Sequence, residues 1–353
     1  MDVRLSPEQV ALRDSATQVV AHLGPATVAQ LDDSERAGKL DAAVVAAGWR
    51  ELRTPSEDGS PWASAVEVAI IAEELGRGLA DVSFLGPTLA ADLRRRVGAP
   101  TAGGVETVAL TPDLTRLVEA SEGGEGVPDA VAVDARGATA ALVLLSGRDG
   151  PTLGALALGD EVTGADLTRP TARGPDGEPA IPVAGQVKRL DADDLTRWQS
   201  LGLAVACADL VGAMRGALTL ATDYARERRQ YGAAIGSFQA VQHMLADAHV
   251  ATEGSRSIAL HAAWAVDALP ADDALGAASA AKAYCARAAR SVCETSIQVH
   301  GGIGNTWECL AHVYLRRALF STEVLGGIGD NLQRVLASRG VGGDSGGGER
   351  GLR

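Results

Sequence analysis

What most restricts the fold of this chain is the order of three textures along it: helical, then strand-like, then helical again. From about 6 to 100, apolar residues recur at helical spacing, as Val68, Ile71, Ala72 and Leu75 do within "SAVEVAIIAEELGRGLADVSFLG". Ser64 followed three residues later by Glu67 reads as a capping box at the start of that segment, and Gly76 and Gly78 read as its stop. Between about 103 and 190 short β-branched runs such as "TVALTP" and "AIPVAGQVKRL" are broken by glycine, proline and aspartate, the rhythm of a compact β-unit. Long helical segments return from about 191 to 338. No internal repeat explains this order, and it predicts a mainly α protein with a β middle domain. The expected divisions are 1–102 helical, 103–190 β, 191–340 a helical bundle, and 341–353 a tail with little apolar surface to bury and no fixed structure.

A chain of 353 residues with 46% hydrophobic content can build a sizeable core. Its formal net charge of −13 opposes binding to nucleic acid or to an anionic membrane, so an anionic ligand has to be held by local arginines. The N-terminus lacks a basic start followed by an apolar core, and no wholly apolar run of about 20 residues is evident. The expectation is a cytoplasmic protein. Cys207, Cys285, Cys293 and Cys309 form no CxxC and read as buried thiols, and the six histidines form no HxxxH or HExxH pair, so no metal site is expected.

Two stretches carry possible chemistry. "RERRQYGAAIGSFQAVQHMLADA", 226–248, places Arg226, Arg228 and Arg229 at the end of one helix and opens another, on which Phe238, Val241, Leu245 and Ala248 share a face. Cations at a helix C-terminus are stabilising on their own, which is the ordinary reading of those arginines. "SIQVHGGIGNTWECLAHVYLRRA", 296–318, puts glycines where a helix ends, followed by Asn305 as an N-cap with Glu308 three residues on. Such a loop lets backbone N–H groups approach a dinucleotide, although alone it is an ordinary helix link.

Taken together, these two stretches and "AAGWRELRTPSEDGSPWASAVEVAIIAEELGRGLADVSFLGPTLAADL" resemble the acyl-CoA dehydrogenases, and with the block order the resemblance covers nearly the whole chain. It implies a helical N-terminal domain, a β-barrel-like middle domain and a C-terminal four-helix bundle. It also implies FAD shared at a subunit interface, with the ADP half held from across that interface. By position, Arg228 would face the pyrophosphate beside Phe238 and Gln239, while Gln298, Gly301 and Gly302 would line the adenosine end. A guanidinium suits that role, since it makes charge-assisted and often bidentate bonds to phosphate. The implied reaction is α,β-dehydrogenation of an acyl-CoA thioester, in which a carboxylate removes the α-proton and the β-hydrogen leaves as hydride to the flavin.

The carboxylate is where the chain departs from the family. Counting from Arg316 to the family's usual glutamate reaches Leu325, followed by Gly326 and Gly327, and the alternative position counted back from Arg228 is Gly202. Glu323 lies two residues before the expected place, about 200° around a helix, and is a weak candidate. The family's ring-side motifs are not recognisable between 103 and 190, where Asp134 or Thr139 could supply a hydrogen bond. The pattern resembles the short subunits of heteromeric actinobacterial acyl-CoA dehydrogenases acting in lipid or sterol side-chain metabolism. The implied partners are a second family subunit that carries the base, an acyl-CoA substrate and an electron-transfer acceptor. Two alternatives stay open: a homo-oligomeric flavoenzyme that uses Glu323 or another substrate, and a non-enzymatic structural member.

Overall fold

The computed structural model describes residues 4–341 except 122–125, 128, 149 and 176. The tail expected to lack fixed structure lies, from residue 342 onward, outside the described residues.

Four helices come first: α1 (Pro7–Leu23), α2 (Ser34–Ala46), α3 (Ala65–Arg77) and α4 (Leu85–Val97). Each of the first three starts at a residue able to accept from free N–H groups, Ser6, Asp33 and Ser64. At α3 the expected capping box forms, with the Ser64 amide donating to Glu67 Oε2 at 2.9 Å. The helix stops at Gly78, but Gly76 is no stop signal. It sits inside α3, where a Cβ would run into the carbonyl of Asp209, so its role is to let another helix come close.

The middle region is a six-stranded sheet of β1 (Glu106–Leu110), β2 (Glu119–Ser121), β3 (Val131–Val133), β4 (Ala140–Ser146), β5 (Thr152–Ala157) and β6 (Ile181–Pro182), ordered β3-β1-β4-β5-β6 with β2 also beside β4. Both faces are covered. Val108, Leu110, Leu142, Leu144 and Leu153 join the main core against the helices. The alternate positions Ala109, Ala141 and Val143, with Leu156, form a smaller core on the other face. The two-residue period of a strand thus divides one run of apolar residues between two cores.

The rest of the chain is helical. α5 (Ala192–Glu227) runs through the centre of the molecule, packed against α3, α6 (Gln239–Ala268) and α7 (Ala271–His300). Gly212 and Gly216 give α3 close access to α5, because side chains there would meet the carbonyls of Glu73 and Arg77. α5 is long and apolar enough to cross a membrane, which the sequence reading did not anticipate, yet 89% of its most apolar window is buried within the molecule. It is the core helix of this fold. α8 (Ala311–Glu323) and α9 (Ile328–Ser338) complete the bundle.

One expected boundary moves. Asn305 does not cap a helix: Gly301–Asn305 is a 3-10 segment, and α8 begins at Ala311 after Leu310, without a side-chain cap. Thr306 Oγ1 donates back to the Ile303 carbonyl at 2.8 Å, closing the turn before a helix can start. All four cysteines are buried free thiols, as the sequence reading expects.

Candidate functional site

The two motif stretches meet at one end of the bundle. α5 ends at Glu227, and a short hairpin of β7 (Arg229–Gln230) and β8 (Ala233–Ala234) turns the chain into α6. Tyr224, one turn before the end of α5, stacks on His300 at the end of α7, with ring centroids 4.5 Å apart. The His300 ring nitrogen Nδ1 lies 2.7 Å from the Ser296 carbonyl, so it carries the proton. Beneath them Ala221, Ala225 and Val299 form a small core with Ile235, Val241, Met244 and Leu245. Val241 and Leu245, the apolar face read from the sequence, are what attach the first motif to the second.

On this base the six residues assigned to the cofactor all face solvent: Arg228, Phe238, Gln239, Gln298, Gly301 and Gly302. The Arg228 main chain is fixed, its N–H donating to the Tyr224 carbonyl and its carbonyl accepting from the Ile235 N–H, both at 2.8 Å. Its guanidinium enters no ion pair among the described residues, whereas Arg226 two positions earlier pairs with Asp223 at 3.2 Å. Gly301 has φ +65°, and added Cβ atoms at Gly301 and Gly302 would have nothing within 4 Å, so both backbones are open to approach. Tyr231, 97% exposed, meets Phe238 edge to face at 6.4 Å. A free guanidinium, two aromatic rings and two open glycine backbones fit the phosphate and ring of a dinucleotide.

The two positions expected to hold a base also meet, and neither residue can take a proton. A Cβ on Gly202 would collide with Leu325 Cδ1, so the leucine side chain lies directly on the glycine, and both residues are buried. Leu325 has φ +61°, uncommon for a residue with a branched side chain. The segment around it is pinned from several sides. Its N–H donates to the Leu114 carbonyl at 2.7 Å, and Arg334 Nη1 donates to its carbonyl at 2.7 Å. Lys282, fully buried, donates to the carbonyls of Thr322, Val324 and Gly326 at 3.0, 2.6 and 3.2 Å. Glu323 is the last residue of α8, is exposed, and has its carboxylate over Gly327 rather than toward Gly202.

Beside this contact lies a buried charge network that sequence reading missed. Asp209, about two helical turns beyond Gly202 on α5, receives Arg317 Nε and Nη2 at 2.9 and 2.7 Å and Ser321 Oγ at 2.6 Å. Arg169 reaches Oδ2, the oxygen that also accepts from Ser321, at 3.2 Å and binds Asp166 at 2.8 Å, while Arg317 Nη1 donates to Thr168 Oγ1 and to the Ala80 carbonyl, each at 2.9 Å. Burial opposes ionisation of Asp209, but Arg169 and Arg317 together hold its carboxyl below the usual range. The signal available was an aspartate inside the apolar run "AVACADLVGAM". Asp134 lies here too, with φ +52° and complete burial pushing its carboxyl up against the opposing pull of Arg169. Its Oδ2 accepts the N–H groups of Phe84 and Gly86 at 2.7 and 3.2 Å, so it caps the start of α4. Thr139 is exposed, and its backbone is taken up in the sheet. The cavity among Asp134, Arg169, Asp209 and Arg317 holds only about 10 Å³, no more than one water.

These features define a protein class. Residues 202–340 match the family profile described as acyl-CoA dehydrogenase, C-terminal domain. With 31% identity over 338 residues to a curated member, covering 93% of this chain and 96% of the other, the chain belongs to the acyl-CoA dehydrogenase family, whose activity is that of an oxidoreductase. That relative is acyl-CoA dehydrogenase IpdE2 of Mycobacterium tuberculosis. Among solved structures, the ChsE4-ChsE5 complex from Mycobacterium tuberculosis superimposes with a TM-score of 0.79 over 96% of this chain and 99% of that one, at 24% identity. An FAD-dependent dehydrogenase shares the fold with a TM-score of 0.77 over 97% of this chain and 100% of its own, at 19% identity.

Proposed function

We propose that this chain is one subunit of a two-subunit, FAD-dependent acyl-CoA dehydrogenase and completes the partner's cofactor site without supplying a base of its own. The observation that carries this reading is the contrast between two places on one chain. At the end of the bundle a fixed arginine with a free guanidinium stands beside open glycine backbones. In the interior the two positions that could hold a base are a leucine and a glycine in contact. The first arrangement suits an anionic ligand, and the second offers no carboxylate to take a proton.

When bound, FAD would supply a two-electron acceptor for the hydride leaving the substrate's β-carbon. The residues of this chain bind and orient it. Arg228 neutralises pyrophosphate charge, Phe238 and Gln239 flank it, and Gln298, Gly301 and Gly302 border the adenosine. This exposed cationic and aromatic surface suits a second chain, and the complex named among the structural neighbours supports a related family member as that chain. The proton at the α-carbon is then taken by a carboxylate of the partner. The substrate class is an acyl-CoA thioester in lipid or sterol side-chain metabolism, electrons leave to a separate acceptor, and the setting is the cytoplasm. The parts divide at about residues 102 and 190.

Co-expression with a longer, glutamate-bearing family member tests this directly. The expected product is a complex with flavin at half of the possible sites. A yellow, active assembly of this chain alone would overturn the reading, and so would a purified complex of the two without flavin.

A further inference from the structure

Cys309 stands apart from the other three cysteines. Cys207, Cys285 and Cys293 are 0% exposed, whereas Cys309, which follows a turn whose residues 305–308 are all exposed, is 8% exposed. Burial pushes the Cys293 thiol up to about 12. A bond with Cys207 together with burial raises Cys285, whose Sγ donates to the Ser255 carbonyl at 3.6 Å. Those three sit in the packed core, where thiols are inert.

Cys309 instead meets a base. The imidazole of His300, at the end of α7, is hydrogen-bonded to its thiol, and the N–H of Ala311, the first residue of α8, donates to its sulfur. The ring is set for this contact from two sides. Its Nδ1–H is taken by the Ser296 carbonyl at 2.7 Å, which leaves Nε2 for the sulfur, and Tyr224 stacks on its face with the planes 26° apart. Thiol, imidazole and carbonyl form the sequence of nucleophile, base and orienting group that activates a cysteine. Burial opposes charge on both side chains, but their mutual bond, with the Ala311 and Ser296 backbone groups, lowers the thiol and raises the imidazole from their usual values. Both shifts move the proton from sulfur to nitrogen. Of the titratable neighbours, Tyr224 stacks on His300, Glu308 is exposed to solvent, and His312, one turn along α8, is pressed toward neutrality by burial and by Arg316.

We propose that Cys309 and His300 form a reactive thiol site that takes up half of a small-molecule disulfide. In the exchange, Cys309 Sγ bonds to one sulfur of the reagent and the reagent's own S–S bond breaks. Its other sulfur leaves with the bonding electrons and receives the proton held on His300 Nε2. The disulfide is the oxidant, and the products are one mixed disulfide and one free thiol. The reading under Proposed function uses neither side chain.

Mixing the full chain with dithiodipyridine, whose released thiopyridone is read by absorbance, tests the site between about pH 5 and 9. One equivalent is expected in a fast phase, and peptide mass analysis should place the adduct on Cys309. Cys207, Cys285 and Cys293 should react only after denaturant is added. The rate should rise with pH to a midpoint below about 8.5, the value for a free cysteine. Cystamine should leave a mixed disulfide on the same residue. Cys309→Ser, which keeps an acceptor for the Ala311 N–H, should abolish the fast phase. His300→Asn should move the midpoint upward and slow the reaction near neutral pH, roughly threefold for every tenfold loss of thiolate, because a more basic sulfur is also the better nucleophile. The pH profile of the unaltered protein stands whether or not that variant folds. Absence of a fast equivalent, its appearance on another cysteine, its persistence in Cys309→Ser, a midpoint at or above that of free cysteine, or an unchanged profile in folded His300→Asn would overturn the proposal. So would a cystamine adduct anywhere but on Cys309.

Discussion

Leu325 and Gly202 show how much one side chain decides. Gly202→Ala should destabilise the fold by about 1–3 kcal/mol through overpacking, since its methyl would run into Leu325 Cδ1. Leu325→Ala should cost about 2–5 kcal/mol by leaving a cavity. The double variant should cost less than the sum, because the new methyl enters the space the leucine vacates, and urea denaturation of the four proteins measures that coupling. Arg228→Ala should leave stability unchanged, since the guanidinium is exposed and enters no ion pair among the described residues. In the complex it should weaken flavin binding by roughly 10–150-fold, the worth of a charge-assisted hydrogen bond at about 1.5–3 kcal/mol. Flavin content after gel filtration reads it. Counting along the sequence was enough to single out Leu325 and Gly202 as the positions expected for a base. That they touch was not legible, because no local pattern relates a glycine on α5 to a residue beyond α8.

At the scale of elements, two buried cations hold segments that would otherwise separate. Lys282 on α7 gathers the carbonyls of Thr322, Val324 and Gly326, which form the C-terminal end of α8 and the chain after it. Lys282→Met keeps the length of the side chain but leaves three buried carbonyls with fewer donors, so it should cost about 3 kcal/mol or more. The loss should show as faster amide exchange at residues 324–327 and as a lower denaturation midpoint. Arg317→Met should be costlier than an ordinary surface change, about 3–5 kcal/mol, because Asp209 would keep its charge in the interior with one guanidinium gone. Thermal unfolding of that variant checks it. The helices themselves were legible in the sequence from apolar spacing and from caps such as Ser64 with Glu67. The start of α8 was not, because Asn305 looks like an N-cap locally while the Gly301–Asn305 turn had already used the backbone there.

For the whole molecule, buried carboxylates make stability depend on pH. Asp92 is completely buried, which alone would raise its pKa, but Arg96, Arg53 and Arg95 hold it far below the usual carboxylate range, and Asp209 is lowered for the same kind of reason. Groups whose folded pKa is depressed contribute stability above the unfolded value, about 4, and lose it as pH falls through that value and below. Asp134 and Glu73 are raised by burial and act in the opposite sense, so they offset part of the loss. The urea midpoint should therefore fall as pH drops from about 5 to 3, and Asp92→Asn should flatten that limb while lowering stability at neutral pH. Equal acid limbs in the two proteins would refute the assignment.

By itself the sequence determined the mainly helical fold with its β middle, the cationic and glycine-bearing motifs, and the lack of a carboxylate at either position expected for a base. These are properties of periodicity, spacing and residue type, which short stretches carry without their neighbours. Only the tertiary structure decided that Leu325 closes over Gly202, that Asp209 is held between Arg169 and Arg317, and that among the described residues Arg226 pairs with Asp223 while Arg228 pairs with no carboxylate. Those outcomes depend on which distant side chains share a dry interior or an open surface, and burial and charge pairing are settled there by contacts between segments far apart in the chain.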